Sequence, residues 1–265
     1  MEAAFFDLDK TVIARASLLA FGPQLRRAGY ISRWLVLRAA VGQLVYRYLG
    51  ADEARMEKMR NTSLRIFRGW QRDTVLALVR ETLTEVIEPL VYAEALELLQ
   101  QHRAAGRRVF LVSSSPEEIV EPLAAYLGVD EVIATRAAVD HENRYTGHIE
   151  YYAYGLNKAE AVRNIAARDG IDLERSFAYS DSATDIPMLE MVGNAVAVNP
   201  DREPRRVASA RGWEIRRFER PVALRPGRVT PPLARVVVIG AAVVATTVVI
   251  ALWRWRRLEP TPPRS

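Results

Sequence analysis

Short strand-like runs alternate with stretches of helical pattern along most of this chain, and that alternation constrains its fold more than any other feature. Residues 3–8 (AAFFDL) and 108–112 (RVFLV) are nearly continuous apolar runs, and shorter ones follow at 132–134, 176–180 and 195–198. Continuous apolar strands belong to parallel sheets covered on both faces, because neither face has to meet water. Helical pattern fills 92–105, continues from 117, and returns at 158–169 and 185–192. Residues 140–150 (DHENRYTGHIE) read as a hairpin around Asn143. The order predicts an α/β fold built on a doubly wound parallel sheet.

The first two strands lie far apart in sequence, and residues 17–86 carry no strand-like alternation. They read as helices, most clearly at 31–49 (ISRWLVLRAAVGQLVYRYL) and 73–87. The expected organisation is a core of residues 1–16 and 88–215 with a helical cap, 17–87, inserted into it. Segment 31–49 reads as a cap helix packing its apolar side on its neighbours, with a membrane-facing helix as the alternative.

Charge is divided unevenly. The chain carries a net +5, yet residues 202–235 hold ten Arg against three Glu, and residues 236–265 hold four Arg against one Glu, which leaves 1–201 at −5. Basicity confined to the C-terminal quarter argues against nucleic acid as a partner. Residues 236–253 (VVVIGAAVVATTVVIALW) run for 18 residues without a charge, and about 20 apolar residues cross a bilayer core. Residues 233–253 therefore read as a single transmembrane helix, with Trp253 and Trp255 at an interface. A Pro- and Arg-rich linker, 216–232, precedes it and a short basic tail, 254–265, follows. The start of the chain lacks the basic region of a signal peptide. The expected location is the cell membrane, single-pass, with the catalytic part cytoplasmic.

There is no Cys, and the three His (His102, His141, His148) are not at ligand spacing. Thiolate chemistry and Cys- or His-built metal sites are excluded, so oxygen ligands and a hard cation such as Mg²⁺ are expected. In a doubly wound sheet, ligands bind at the carboxyl ends of the strands. Asp7 and Asp9 follow the first strand, Ser113 and Ser114 the second, and Asp181, Thr184 and Asp185 the strand at 176–180. Lys158 opens a helix that returns to the same edge. Asp7 and Asp181 can hold Mg²⁺, Lys158 can neutralise a phosphate dianion, Asp7 can attack phosphorus, and Asp9 can move the proton. Ser113, Thr11 and nearby backbone N–H groups can hold phosphate oxygens.

These motifs resemble those of the haloacid dehalogenase superfamily of aspartate-nucleophile phosphatases, in the branch with a helical cap that includes phosphoserine phosphatases. FFDLDKTV, VFLVSS, NKAEAV and YSDSATDIPML match its four motifs in order, and the resemblance covers residues 3–201. It implies Asp7 as nucleophile and Asp9 as acid/base. It implies Mg²⁺ held by Asp7, Asp181 and the backbone carbonyl of Asp9, with Asp185 supporting the metal shell. Thr11, Ser113, Ser114, Lys158 and Thr184 are implied in phosphate binding. Lys10 stands where Ser is usual, and Ala16 where phosphoserine phosphatases place a Glu, so the substrate stays open. A small phosphomonoester is the leading expectation. The alternatives are a membrane lipid phosphate, or a membrane-tethered phosphate-binding protein without catalysis.

Overall fold

Strand β1 (Ala3–Asp7) is buried along its whole length, and its side chains alternate between two cores. Ala4 and Phe6 join one hydrophobic cluster, Ala3 and Phe5 the other. Both faces of the strand are thus covered by protein, as the unbroken apolar run required. The computed structural model describes residues 1–29 and 67–221. Helices α1 (Ser17–Ala20) and α2 (Gly22–Arg27) follow β1; then come α3 (Arg72–Val86), a 3₁₀ turn at Glu88–Leu90, and α4 (Ala93–Ala104). Strand β2 (Arg108–Pro116) leads through α5 (Glu117–Leu127) to β3 (Glu131–Val139) and β4 (Tyr145–Tyr151). Helix α6 (Leu156–Asp169), β5 (Phe177–Ser180), α7 (Ile186–Leu189), β6 (Asn194–Val198), α8 (Arg202–Arg211) and β7 (Glu214–Arg216) complete the described chain.

The seven strands form one sheet in the order β4-β3-β2-β1-β5-β6-β7, parallel throughout except for β4 on β3. The α/β sheet expected from the sequence is therefore present. On the Phe6 face lie Val79 of α3, Leu98 of α4 and Leu123 of α5. On the Phe5 face lie Val162 and Ala166 of α6 and Met188 of α7. Phe6 stacks on Tyr179 of β5 at 4.3 Å between centroids, and Phe5 stacks on Phe110 of β2 at 4.9 Å. Each such ring contributes about 1.5–3 kcal/mol by leaving water.

Several boundaries differ from the sequence reading for local physical reasons. β2 runs to Pro116 rather than stopping at 112, with a register shift against β3 between Val112 and Pro116. The helix expected at 185–192 is a 3₁₀ turn at Ala183–Asp185 and the short α7, with Pro187 in the first turn. Helix α8 has only Pro204 and Ala208 buried, too few to raise a helical periodicity above its five charged residues. Residues 216–221, expected to begin a tether, pack on the core. Phe218 is buried beside Tyr92, and its N–H and carbonyl are both paired with the Asn199 side chain.

The described parts of the expected cap also rest on the core. Val75, Val79, Leu83 and Val86 line one face of α3. Arg72 donates to Glu117 at 2.6 Å and to Glu118 at 3.0 Å, at the start of α5. The expected helix at 31–49, the membrane span at 233–253 and the basic tail at 254–265 lie outside the described residues. Among the described residues no helix is long and apolar enough to cross a membrane.

Candidate active site

Parallel register places the carboxyl ends of three adjacent strands side by side. Asp7 pairs with Val112, so Ser113 lies one step beyond it on β2. Phe6 pairs with Tyr179, so Ser180 at the end of β5 lies level with Asp7, and Asp181 follows one residue beyond the strand. The period of two then decides which helix Asp7 meets. Like Phe5, it points to the face covered by α6, which carries Lys158 in its first turn. Positive-φ glycines bracket that helix, Gly155 at 56° before it and Gly170 at 64° after it, where a side chain would strain the backbone.

Lys158 is almost wholly buried, and its Nζ donates to Asp7 Oδ1 at 2.6 Å and to Asp185 Oδ2 at 2.8 Å. Burial disfavours its charge, but Asp7 and Asp185 outweigh that and hold the ammonium well above the usual lysine range. Burial pushes the Asp7 carboxyl well up; Lys158 pulls it down, while Asp185, Asp181 and Asp9 push it further up. Ser180 Oγ donates to Asp185 Oδ2 at 2.8 Å, whereas Asp185 Oδ1 has no hydrogen-bond partner among the described residues. The Asp181 carboxylate is buried and lies 3.6 Å from the exposed Lys10 ammonium. Burial raises it to about 6 against the pull of Lys10.

Of the three buried carboxylates, Asp7 and Asp185 thus share one buried ammonium, while Asp181 has only the exposed Lys10. The excess negative charge and the unpaired Asp185 oxygen suit a divalent cation. Among the described residues no three His, Cys, Asp or Glu side chains cluster as a complete metal cage. Mg²⁺ does not require one, since it usually keeps several waters and takes one or two carboxylates. Asp7 and Asp181 fit that demand.

The remaining residues singled out in the sequence divide between reactive and supporting positions. The loop after β1 closes on the Leu8 carbonyl, which accepts from the N–H groups of Val12 and Ile13 at 2.9 and 3.0 Å. It turns through Lys10 at φ 64°, a costly conformation for a residue with a Cβ. Thr11 is fully buried, and its hydroxyl accepts from the Asp181 N–H at 3.1 Å, tying the first motif to the fourth. Ser113 is buried and its Oγ accepts from the Ser115 N–H at 3.1 Å; the Ser114 carbonyl accepts from Thr135 Oγ1 at 2.8 Å. Thr184 is half-buried, its hydroxyl 2.9 Å from Ser182 Oγ. Asp9 is held by groups that sequence reasoning missed: the Ser17 N–H at 2.7 Å and the Ser115 hydroxyl at 2.8 Å. Lys10 and Ser180 were likewise missed as neighbours of Asp181 and Asp185. Beside Pro116 and Thr135 lies a cavity of about 80 Å³, lined chiefly by apolar side chains that include Phe21, Leu25, Val79 and Ile119.

The raised Asp181 carboxyl has a consequence for stability. Its folded-state pKa lies above its ordinary value, so the stability carried by the protonated form is full at low pH and lost as pH rises through about 6. In EDTA, the melting temperature should fall between about pH 4 and 6, by the equivalent of up to about 3 kcal/mol. Mg²⁺ should restore it, with a thermal shift that grows over the same range. A Mg²⁺ shift independent of pH would contradict this account.

Comparison with known proteins agrees with the motifs. A family model described as haloacid dehalogenase-like hydrolase matches residues 4–190. The chain is 52% identical over 246 residues to the "Inhibition of morphological differentiation protein" of Streptomyces azureus, covering 91% of this chain and 89% of that one. It is 46% identical over 241 residues to a protein of Mycobacterium tuberculosis named a probable phosphatase, covering 91% and 83%. It is 36% identical over 242 residues to phosphoserine phosphatase SerB1 of the same organism, covering 91% and 77%. Among solved structures, a Bordetella pertussis protein of unknown function matches with a TM-score of 0.70 and 30% identity, over 81% of this chain and 97% of that one. A phosphoserine phosphatase captured as a phospho-aspartyl intermediate analogue shares the fold, with a TM-score of 0.56 and 18% identity over 83% and 94%.

Proposed function

The chain belongs to the haloacid dehalogenase-like hydrolases, and from that membership we propose that this phosphatase cleaves phosphomonoesters through an aspartyl-phosphate on Asp7, in a Mg²⁺-dependent reaction. The observation that carries the reading is the Asp7 carboxylate at the end of β1, buried and held 2.6 Å from the Lys158 ammonium among further buried carboxylates. Asp7, Asp181 and the backbone carbonyl of Asp9 would hold Mg²⁺, which supplies charge for the transferring phosphoryl group. Lys158 balances the phosphate and keeps Asp7 oriented. Ser113, Ser114, Thr184 and backbone N–H groups hold phosphate oxygens, and Thr11 fixes the Asp181 backbone. Asp9 protonates the leaving oxygen and then takes a proton from the attacking water.

Two observations favour a substrate with an apolar part over phosphoserine. Ala16 offers no carboxylate to a substrate ammonium, and the cavity beside Pro116 is lined chiefly by apolar side chains. Along a series of n-alkyl phosphates, kcat/KM should rise about fourfold per methylene until the cavity is filled. A flat series, with phosphoserine the better substrate, would reverse the assignment. The uncharged run at 236–253 supports a C-terminal membrane anchor with the catalytic part cytoplasmic, and with it a lipid phosphate as the alternative substrate. Recovery of the full chain in the soluble fraction of disrupted cells would remove the anchor. Hydrolysis of butyl phosphate, with none of lysophosphatidate in micelles, would remove the lipid.

A further inference from the structure

Asp9 is the group that must both give and take a proton in this reaction, and its carboxylate is fixed from two sides. The Ser17 N–H donates to Oδ1 at 2.7 Å and the Ser115 hydroxyl donates to Oδ2 at 2.8 Å. The clamp continues outward: the Ser17 hydroxyl donates to Ser115 Oγ at 2.8 Å, and the Ser115 N–H donates to Ser113 Oγ at 3.1 Å. Ser17 is fully buried and Ser115 is 6% exposed, so water does not compete for these bonds. Ser17 opens α1, directly after the first motif, while Ser115 lies near the end of β2. The two serines are 98 residues apart in sequence, and the fold brings them into contact with each other and with Asp9.

We propose that Ser115 is a positioning residue for Asp9, aligning its carboxyl with the leaving-group oxygen, and that Ser17 holds the Ser115 hydroxyl in turn. The proposal rests on Asp9 being the acid/base. In the first half-reaction an Asp7 oxygen bonds to phosphorus, the bond from phosphorus to the leaving oxygen breaks, and the Asp9 proton passes to that oxygen. In the second, water oxygen bonds to phosphorus, the Asp7 oxygen leaves, and Asp9 takes the proton of the water. A carboxyl without the Ser115 bond samples several rotations, and proton transfer loses rate in proportion.

Leaving-group chemistry separates this role from a structural one. A nitrophenolate departs without a proton, whereas an alkoxide does not. In the full chain, Ser115→Ala should lower kcat/KM for butyl phosphate by about tenfold and for p-nitrophenyl phosphate by about twofold or less. Asp9→Asn should show the same asymmetry more strongly. Ser17→Ala should show it more weakly, and Ser115→Thr, which keeps the hydroxyl, should recover most of the loss. Equal losses on both substrates in Ser115→Ala, with an asymmetric Asp9→Asn, would overturn the positioning role alone. Equal losses in Asp9→Asn would overturn the acid/base reading and the proposal with it. Should Ser115→Ala fail to fold, an asymmetric loss in Ser17→Ala supports the proposal and a symmetric one refutes it.

Discussion

Asp7→Asn should lower phosphomonoester turnover by roughly 10⁴-fold or more, the scale on which losing a catalytic nucleophile acts, while leaving the chain folded. Asn is isosteric with Asp, and its amide oxygen can still accept from Lys158 Nζ, which Asp185 also anchors. The metal-free variant should melt no lower than the natural chain near neutral pH, and higher if anything. Burial and three neighbouring carboxylates disfavour the Asp7 charge, so removing that charge relieves a cost. The Mg²⁺-induced thermal shift should shrink, because one ligand oxygen has lost its charge. Acid quenching of the natural chain during turnover of labelled substrate should leave phosphate bound to protein and releasable by hydroxylamine. Asp7→Asn should leave none. Wild-type turnover in this variant would end the aspartyl-phosphate mechanism, and collapse of the fold would show that Asp7 is needed mainly to hold Lys158.

The parts of this site that the sequence showed, and the parts it hid, follow from how each residue acts. Asp7, Lys158 and Asp181 act through charged side chains at the ends of regular elements. An apolar run that stops at an Asp marks such a place without knowledge of the register. That Asp7 should meet Lys158 was harder to read. It depends on the parity of β1, with Phe5 and Asp7 facing α6 while Phe6 faces α4 and α5. Ser115 was hidden because a polar triplet before Pro116 reads equally as the cap of the next helix. Ser17 was hidden because the group that reaches Asp9 is its backbone N–H, which no side chain reports. Thr11 was singled out for a phosphate, and its hydroxyl is engaged by the Asp181 N–H, a partner 170 residues away. At fold level, β1 and β2 were legible from their buried apolar runs. α8 and β7 were not, since a charged helix and a strand of three residues carry almost no pattern.

Lys158→Met carries the largest expected effect on stability. The substitution keeps the length of the side chain and removes the ammonium, leaving Asp7 and Asp185 without their shared partner in a buried site. Breaking a buried ion pair on one side costs about 3–5 kcal/mol, because the remaining charge stays desolvated. For a domain of this size that corresponds to a melting temperature lower by roughly 10 °C in EDTA near pH 7. The loss should shrink as pH falls, because the Asp7 carboxyl, already pushed up by burial, takes up a proton and no longer needs a counter-charge. Mg²⁺ should recover part of the stability by supplying positive charge beside Asp7, but it should not recover turnover, since the phosphate also loses its ammonium partner. A variant as stable as the natural chain in EDTA at neutral pH would mean that Asp7 and Asp185 are balanced by something other than Lys158. The charge argument for a divalent cation at this site would then fall, because it counts that ammonium as the only buried positive group among the described residues paired with Asp7 and Asp185.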